Sequence, residues 1–213
     1  MYQPPLFRED RLEVMHGLIR AHPFATLVTL EAGALSANHL PMILHPKLSA
    51  NGTLHGHMAR ANPLWQNRDG GVDALAIFHG PQQYITPSWY PSKKEHGKVV
   101  PTWNYAVVHA HGPLTTIEDP AWLRAHLEAL TGQQEGGRPV PWFVSDAPDD
   151  FIAHQLKGIV GFELTIGRIE GKWKVSQNRD ERDRTGVSRG LRFESPGQAS
   201  DMADLVERYG EER

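Results

Sequence analysis

Short segments in which apolar and polar residues alternate recur along the chain, separated by turns that contain glycine, proline or asparagine. This period of two is typical of antiparallel β-strands with one buried face. Regular alternation of strands with helices is absent, so we expect an antiparallel barrel, closed or split, rather than a parallel sheet. The predicted strands cover residues 24–30, 35–44, 53–59, 74–79, 84–85, 99–114, 159–168 and 172–176, with turns at Asn51-Gly52, Gly80-Pro81 and Glu170-Gly171. The last two strands are predicted to form a hairpin across Glu170-Gly171.

Helical periodicity is limited to a few segments outside the main strands. Apolar residues recur at helical spacing over residues 11–21, 120–132, 148–157 and 200–209. Asp119-Pro120 has the residues of a helix N-cap followed by a first helical position. The stretch 179–199 has few apolar residues and is predicted to be a linker. We therefore expect a single, mainly β domain over residues 1–213, with flanking helices and a C-terminal helical extension over about residues 195–213.

Composition narrows the possible chemistry. The chain of 213 residues contains no cysteine, which excludes disulfides, zinc thiolate sites and cysteine nucleophiles. No segment approaches the roughly 18 consecutive apolar residues of a membrane-spanning helix, and residues 1–10 lack the pattern of a signal peptide. The net charge is -3 and the pI is near 6.4, without the basic stripe typical of nucleic-acid binding. We expect a cytoplasmic protein with no membrane contact, and the composition disfavours direct DNA binding.

The end of the third predicted strand carries a polar cluster suited to phosphate. Arg60 presents a planar fork of donors, and His57 and Asn62 on either side of it can add hydrogen bonds. An ordinary strand end with a surface arginine has the same composition, and the residues alone do not separate the two interpretations.

The segment over residues 99–111 is rich in aromatic side chains. On a strand, the period of two places Trp103 and Tyr105 on one face and Thr102 and Asn104 on the other. The aromatic face can stack a planar heterocycle, and threonine and asparagine can bond its polar edge. A hydrophobic core or a dimer interface would show the same aromatic residues, so both interpretations stay open.

Two lysines and a serine alternate in the last predicted strand, at Lys172, Lys174 and Ser176. The two lysines can supply a site for a phosphate or a carboxylate. Lysines also protect the exposed edge of a sheet from pairing with another chain, and this interpretation is equally compatible with the sequence.

Histidines occur in two pairs with a spacing of two, His55 with His57 and His109 with His111. Such pairs can chelate a metal, but no convincing third ligand accompanies either pair, so we predict no metal site. His39 lies in a largely apolar strand, where a buried histidine needs a hydrogen-bonding partner. That partner is either a ligand or a backbone carbonyl.

Five stretches of the chain occur together, and in the same order, in one protein family. They are Ser36-Ala-Asn-His-Leu-Pro41, Gly56-His-Met-Ala-Arg-Ala-Asn-Pro63, Gly80-Pro81 with Tyr84-Ile-Thr-Pro-Ser-Trp-Tyr90, Val100-Pro-Thr-Trp-Asn-Tyr105 with Val108-His109, and Lys174-Val-Ser-Gln-Asn178. Over about residues 2–187 the chain thereby resembles the PaiB-type FMN-binding negative transcriptional regulators. The resemblance implies FMN as the cofactor and an antiparallel FMN-binding split barrel related to pyridoxamine-phosphate oxidases and flavin reductases. It also implies a homodimer with FMN at the dimer interface.

The resemblance further implies which residues contact FMN. The turn after the third strand would hold the phosphate, with Arg60 as the first ligand, and the aromatic strand would approach the ring system. The full set of candidate cofactor-binding residues is His39, His57, Arg60, Asn62, Tyr90, Lys98, Thr102, Trp103, Asn104, Tyr105, Gln177 and Asn178.

The family points to a negative regulator of transcription that acts through DNA or a partner protein. The histidines and the aromatic segment favour an alternative, a flavin-dependent oxidoreductase or a haem-handling split-barrel enzyme. A third possibility is a dimer scaffold that has lost its ligand. The sequence leaves open whether the chain is an enzyme, and it identifies no catalytic residue.

Overall fold

Eight β-strands and six α-helices make up the part of the chain that the computed structural model describes, residues 1–31, 33–66, 72–194 and 197–211. The strands are β1 (Arg8–Glu9), β2 (Phe24–Glu31), β3 (Ala34–His45), β4 (Thr53–Ala59), β5 (Val72–Ile85), β6 (Thr102–Ile117), β7 (Ile159–Thr165) and β8 (Arg168–Lys174). The helices are α1 (Leu12–Ala21), α2 (Ser92–His96), α3 (Pro120–Glu135), α4 (Asp149–Leu156), α5 (Glu181–Glu194) and α6 (Gln198–Glu211). None of the helices described is both long and apolar enough to cross a membrane.

The strands form one sheet in the order β1-β8-β6-β5-β2-β3-β4-β7. Strand β6 also pairs with β7, so the order of the six strands from β6 to β7 closes on itself. The pairs β2–β3, β2–β5, β3–β4, β4–β7, β6–β7 and β1–β8 are all antiparallel. This arrangement confirms the predicted mainly β fold, an antiparallel split barrel with flanking helices.

The chain is organised as two compact units, each built from segments that are distant in sequence. The first unit contains residues 1–18, 79–108 and 170–213, and the second contains residues 19–78 and 109–169. Strands β5 and β6 each contribute one part to each unit.

In the second unit, alternation along the strands builds the core. Ala25, Leu27 and Thr29 of β2 are buried, and the residues between them are more exposed. Helix α3 begins as the sequence predicts, because the Asp119 carboxylate accepts a hydrogen bond from the backbone N–H of Ala121 at 3.0 Å. Helices α3 and α4 share a small apolar cluster formed by Leu123, Val144, Ile152 and Leu156.

In the first unit, helix α5 occupies most of the segment predicted to be a linker, so that prediction is wrong. The helix has few apolar residues, but it buries Val187 and Leu191 on one face. Gly186 and Gly190 let it approach Trp89, since a Cβ atom on Gly186 would lie 2.1 Å from the Trp89 carbonyl oxygen. Two apolar side chains are sufficient to pack this helix because the two glycines bring it into contact with Trp89.

Two predicted turns are continuous strand in the structure. Strand β5 runs through Gly80, where a Cβ atom would lie 2.8 Å from Leu18, and β8 runs through Gly171, where a Cβ atom would lie 2.8 Å from the Met15 sulfur. Both glycines therefore serve the close packing of α1 rather than a reversal of the chain. The predicted hairpin of β7 with β8 is wrong, because β7 pairs with β4 and β6.

Candidate functional site

Arg60 follows the end of β4, and each of its three guanidinium nitrogens donates one hydrogen bond within the protein. Nε donates to the Lys157 carbonyl at 2.9 Å, Nη2 donates to the Ile159 carbonyl at 3.1 Å, and Nη1 pairs with the Glu118 carboxylate at 2.5 Å. The group also lies 5.3 Å from the centre of the Trp65 ring. Arg60 thus joins the end of β4 to the end of α4 and the start of β7, a structural role that the sequence did not indicate.

Asn62 and His39 also form bonds within the second unit. The side-chain Oδ1 of Asn62 accepts from the backbone N–H of Leu64 at 2.9 Å, and its Nδ2 donates to the side-chain Oδ1 of Asn38 at 2.7 Å. His39 is exposed, and its Nδ1 lies 3.2 Å from the Thr26 hydroxyl. Asn62 therefore shapes the turn after β4.

His57 forms a buried pair with a histidine of α3. Its Nδ1 lies 3.1 Å from Nε2 of His126, and the His126 ring stacks on Trp122 at 5.3 Å between centroids. His126 is 4% exposed, and its Nδ1 has no hydrogen-bond partner among the described residues. Burial, followed by the proximity of His57, lowers the pKa of His126 to about 3, and burial also lowers the pKa of His57.

Two further histidines extend this group. The rings of His45 and His55 lie 4.0 Å apart, and Nε2 of His55 lies 3.0 Å from a Glu163 oxygen. Burial and the neighbouring His45 lower the pKa of His55 to about 4. We refer to His45, His55, His57 and His126 as the histidine cluster. Its low pKa values keep the cluster uncharged at neutral pH.

In the first unit, β6 places its residues on two faces, as the period of two predicts. Asn104, Ala106 and Val108 are buried, whereas Trp103 on the opposite face is 54% exposed. The Tyr84 ring of β5 meets Trp103 edge to face, with 6.2 Å between centroids. An exposed aromatic platform therefore lies on this face of the strand.

The two lysines of β8 lie beside this platform. Lys174 Nζ donates to the Thr102 hydroxyl and, at 2.6 Å, to the Trp103 carbonyl. Lys172 Nζ donates to the Tyr2 carbonyl at 3.0 Å and lies 5.4 Å from the centre of the Tyr105 ring. We refer to Tyr84, Trp103, Tyr105, Lys172 and Lys174 as the aromatic–lysine face.

Two predicted site residues have structural hydrogen bonds in this unit. The Asn104 amide donates to the Ser176 hydroxyl at 2.8 Å, and both residues are buried. The Gln177 side chain accepts from the Val175 N–H at 2.8 Å and donates to the Trp173 carbonyl at 2.6 Å. These bonds fix the chain just after β8, where Ser176 adopts a φ of 68°. Asn104 and Gln177 thereby position the end of β8, the strand that carries Lys172 and Lys174.

Tyr90, Lys98 and Asn178 have different environments. Tyr90 is buried, and the Arg179 guanidinium lies 4.6 Å from the centre of its ring. Burial raises the pKa of Tyr90. Lys98 and Asn178 are exposed.

The structure brings together Thr102, Trp103 and Tyr105 among the predicted residues, and it adds Lys172 and Lys174. Their alternation was visible in the sequence, but the edge of a sheet shows the same pattern of lysines. The residues Arg60, His57 and Asn62 lie in the second unit and have partners there.

Comparison with known proteins gives a family. The profile of the family described as "Putative FMN-binding domain" matches residues 1–168. The chain belongs to this family. The chain is 34% identical over 207 residues, covering 97% of each protein, to the Bacillus subtilis protein named protease synthase and sporulation protein PAI 2. An uncharacterized protein of Emericella nidulans is 33% identical over 99% of this chain and 98% of its own length.

Solved structures show the same fold at low sequence identity. The FAD and heme binding protein from Mycobacterium smegmatis has a TM-score of 0.58 and 16% identity, covering 86% of this chain and 80% of its own. The flavocytochrome Anf3 from Azotobacter vinelandii has a TM-score of 0.58 and 14% identity, covering 84% and 75%. The family confirms FMN, the cofactor predicted from the sequence, and these structures support the predicted split barrel.

Proposed function

We propose that this protein is an FMN-binding negative regulator of transcription and that it holds the flavin on the aromatic–lysine face. The observation that carries this proposal is the combination of an exposed aromatic platform with two lysines that have no carboxylate partner among the described residues. FMN joins a planar ring system to an anionic phosphate. An aromatic side chain can stack on the ring, and a lysine can bind the phosphate.

The residues of this face fit FMN. Trp103 offers an exposed ring for stacking, and the Lys174 ammonium lies next to the Trp103 carbonyl. When bound, FMN supplies a redox-active ring, while the protein binds and orients it. In a regulator, the protein would change its binding to a partner when FMN occupies the aromatic–lysine face.

Replacing Trp103 tests the binding face. Stacking of a heterocycle on an aromatic side chain contributes about 1–3 kcal/mol, so Trp103→Ala is expected to weaken FMN binding roughly tenfold. Titration with quenching of flavin fluorescence measures this affinity. Trp142→Ala is the matched control, because Trp142 is a half-exposed tryptophan of the second unit and its loss is expected to leave FMN affinity unchanged. Equal affinity in wild type and Trp103→Ala would remove the platform from the site.

Regulation is supported by the relative from Bacillus subtilis, whose name refers to protease synthesis and sporulation. The net charge of -3 favours a protein partner over direct contact with DNA. A mobility shift with upstream DNA tests this preference, because contacts with phosphate give binding that weakens steeply with salt. Salt-sensitive retardation of the DNA would instead assign the regulation to direct DNA binding.

We also propose a homodimer, supported by an apolar surface on the β2–β3 hairpin. Phe24, Leu30 and Leu35 are 65%, 57% and 79% exposed, and Leu30 pairs with Leu35 across the hairpin. An uncharged patch can meet its own copy without repulsion between like charges. Leu35→Asp is expected to shift the protein toward monomer in sedimentation equilibrium, whereas the exposed Leu48→Asp, outside the hairpin, is not. A monomeric wild type would contradict the proposal.

A further inference from the structure

Helices α5 and α6 pack against each other and leave a polar groove of about 750 Å³ along their contact. We refer to it as the α5–α6 groove. Its charged lining residues are Glu181, Arg184, Arg189, Arg192, Glu207 and Glu211. All of them lie beyond residue 168, where the match to the FMN-binding family ends, and none belongs to the aromatic–lysine face.

Part of the groove is neutralised within the protein. Arg192 Nη2 lies 2.7 Å from a carboxylate oxygen of Asp204 and 2.7 Å from one of Glu207, both on α6. The Ser188 hydroxyl also donates to Glu207. The charge of Arg192 is therefore already compensated by α6.

Arg184 lies about two turns earlier on the same face of α5, and there α6 offers no carboxylate. The residue of α6 beside it is Gly210, where a Cβ atom would lie 2.9 Å from Arg184 Nε. Glycine is unfavourable inside a helix, but here it leaves the space that the guanidinium group occupies. Arg184 Nη1 donates to the Arg179 carbonyl at 2.7 Å. This bond holds the guanidinium group in place without neutralising it.

The groove also has carboxylates that are not paired. Glu181 precedes Arg184 by one turn of α5, and Glu211 follows Gly210 on α6. Neither carboxylate forms an ion pair with any residue that the structure describes, and the same holds for Arg184 and Arg189. A simple anion would be attracted by the arginines but repelled by the carboxylates. A ligand that carries both charges is complementary to the groove.

We propose that the α5–α6 groove binds a small zwitterion, either a free amino acid or a short peptide with free termini. The ligand carboxylate binds the Arg184 guanidinium, as Asp204 and Glu207 bind that of Arg192, and the ligand ammonium group binds Glu211. The volume of the groove lies within the range of small-molecule sites, roughly 300–1,000 Å³. The proposal goes beyond FMN binding and does not depend on it.

Ligands that lack one charge test the zwitterion. Isothermal titration calorimetry of the wild type with the standard amino acids and with dialanine is expected to show saturable binding of at least one of them. N-acetylation removes the ammonium group and amidation removes the carboxylate, so each derivative is expected to bind roughly tenfold more weakly than its parent. Binding of amino acids alone assigns the groove to free amino acids, and binding of dialanine alone assigns it to peptides. Absence of binding by the whole set, or equal affinity of an N-acetylated derivative and its parent, would overturn the proposal.

Two substitutions test whether the ligand binds in the groove. Arg184→Gln removes the guanidinium charge, and Gly210→Ala places a methyl group in the space of the guanidinium group. Alanine has the higher helix propensity and the end of an arginine side chain can move, so Gly210→Ala is expected to fold. Both variants are expected to bind the zwitterion roughly tenfold more weakly than the wild type.

Arg182→Gln is the matched control for these variants. Arg182 is an exposed arginine of α5 that pairs with Glu95 and does not line the groove, so its loss is expected to leave the affinity unchanged. Circular dichroism verifies that all three variants are folded. Wild-type affinity in both Arg184→Gln and Gly210→Ala would place the ligand elsewhere and refute the site.

Discussion

Lowering the pH from 7 to 5 is expected to destabilise the fold by about 2 kcal/mol through His126 alone. The folded chain holds the pKa of His126 at about 3, below the ordinary value of 6.5, because the ring is buried against Trp122 and beside His57. As the pH falls below 6.5, the unfolded chain takes up a proton that the folded chain does not. Stability is therefore lost over the range from pH 6.5 down to about pH 3, and His55, with a pKa of about 4, acts in the same direction.

Urea unfolding at pH 7 and pH 5 measures this effect, and His126→Phe isolates it. Phenylalanine keeps a ring beside Trp122 but cannot titrate, so the variant is expected to lose about 2 kcal/mol of the wild-type pH dependence. The exposed His154 of α4 provides the matched control, and His154→Phe is expected to show the full dependence. If His126→Phe lost as much stability between the two pH values as the wild type, His126 would not be the origin of the acid sensitivity.

Gly186→Ala is expected to destabilise the protein by about 3 kcal/mol, because the added methyl group has no space. Its Cβ atom would lie 2.1 Å from the Trp89 carbonyl oxygen and 3.0 Å from Pro91. A backbone oxygen cannot rotate away as a flexible side chain does, so α5 must shift from its position. The shift would also strain the buried pair in which the Ser92 hydroxyl donates to Asp183 at 2.6 Å.

The same substitution at Gly17 provides the control. Gly17 lies inside α1, and a Cβ atom there meets nothing within 4 Å. Gly17→Ala is therefore expected to stabilise the protein by about 0.5–1 kcal/mol, through the higher helix propensity of alanine. Denaturant unfolding of both variants compares them directly. Similar stabilities for the two would contradict the role of Gly186 as the contact point of α5.

Strands bounded by clear turn signals were predictable from the sequence, since these signals are local. The predicted strand 53–59 matches β4 from Thr53 to Ala59, and Gly52 adopts the positive φ of 86° that the Asn-Gly turn requires. Gly80 and Gly171 were misread because a glycine marks either a turn or a close approach. The packing of Leu18 and Met15 that decides between these roles is a tertiary contact.

Part of the candidate site was also predictable, because the alternation of residues along a strand is a local pattern. The period of two placed Trp103 and Asn104 on opposite faces of the strand, and in the structure Trp103 is exposed and Asn104 is buried. The partners of Arg60 were not predictable, because Glu118 and the Lys157 carbonyl are distant in sequence. Lys172 and Lys174 were visible as a pair, but only their neighbours show that they lack a counter-charge.

The pairing of β1 with β8 sets the order in which the chain can fold during synthesis. Arg8 of β1 pairs with Lys172 of β8. Strand β1 therefore cannot pair until the ribosome has synthesised β8, more than 150 residues later. All residues of the second unit precede residue 170, and they are complete before the last segment of the first unit is made. Until that segment emerges, the nascent chain presents β6 without its neighbour β8, an unpaired edge of the kind that chaperones shield from aggregation.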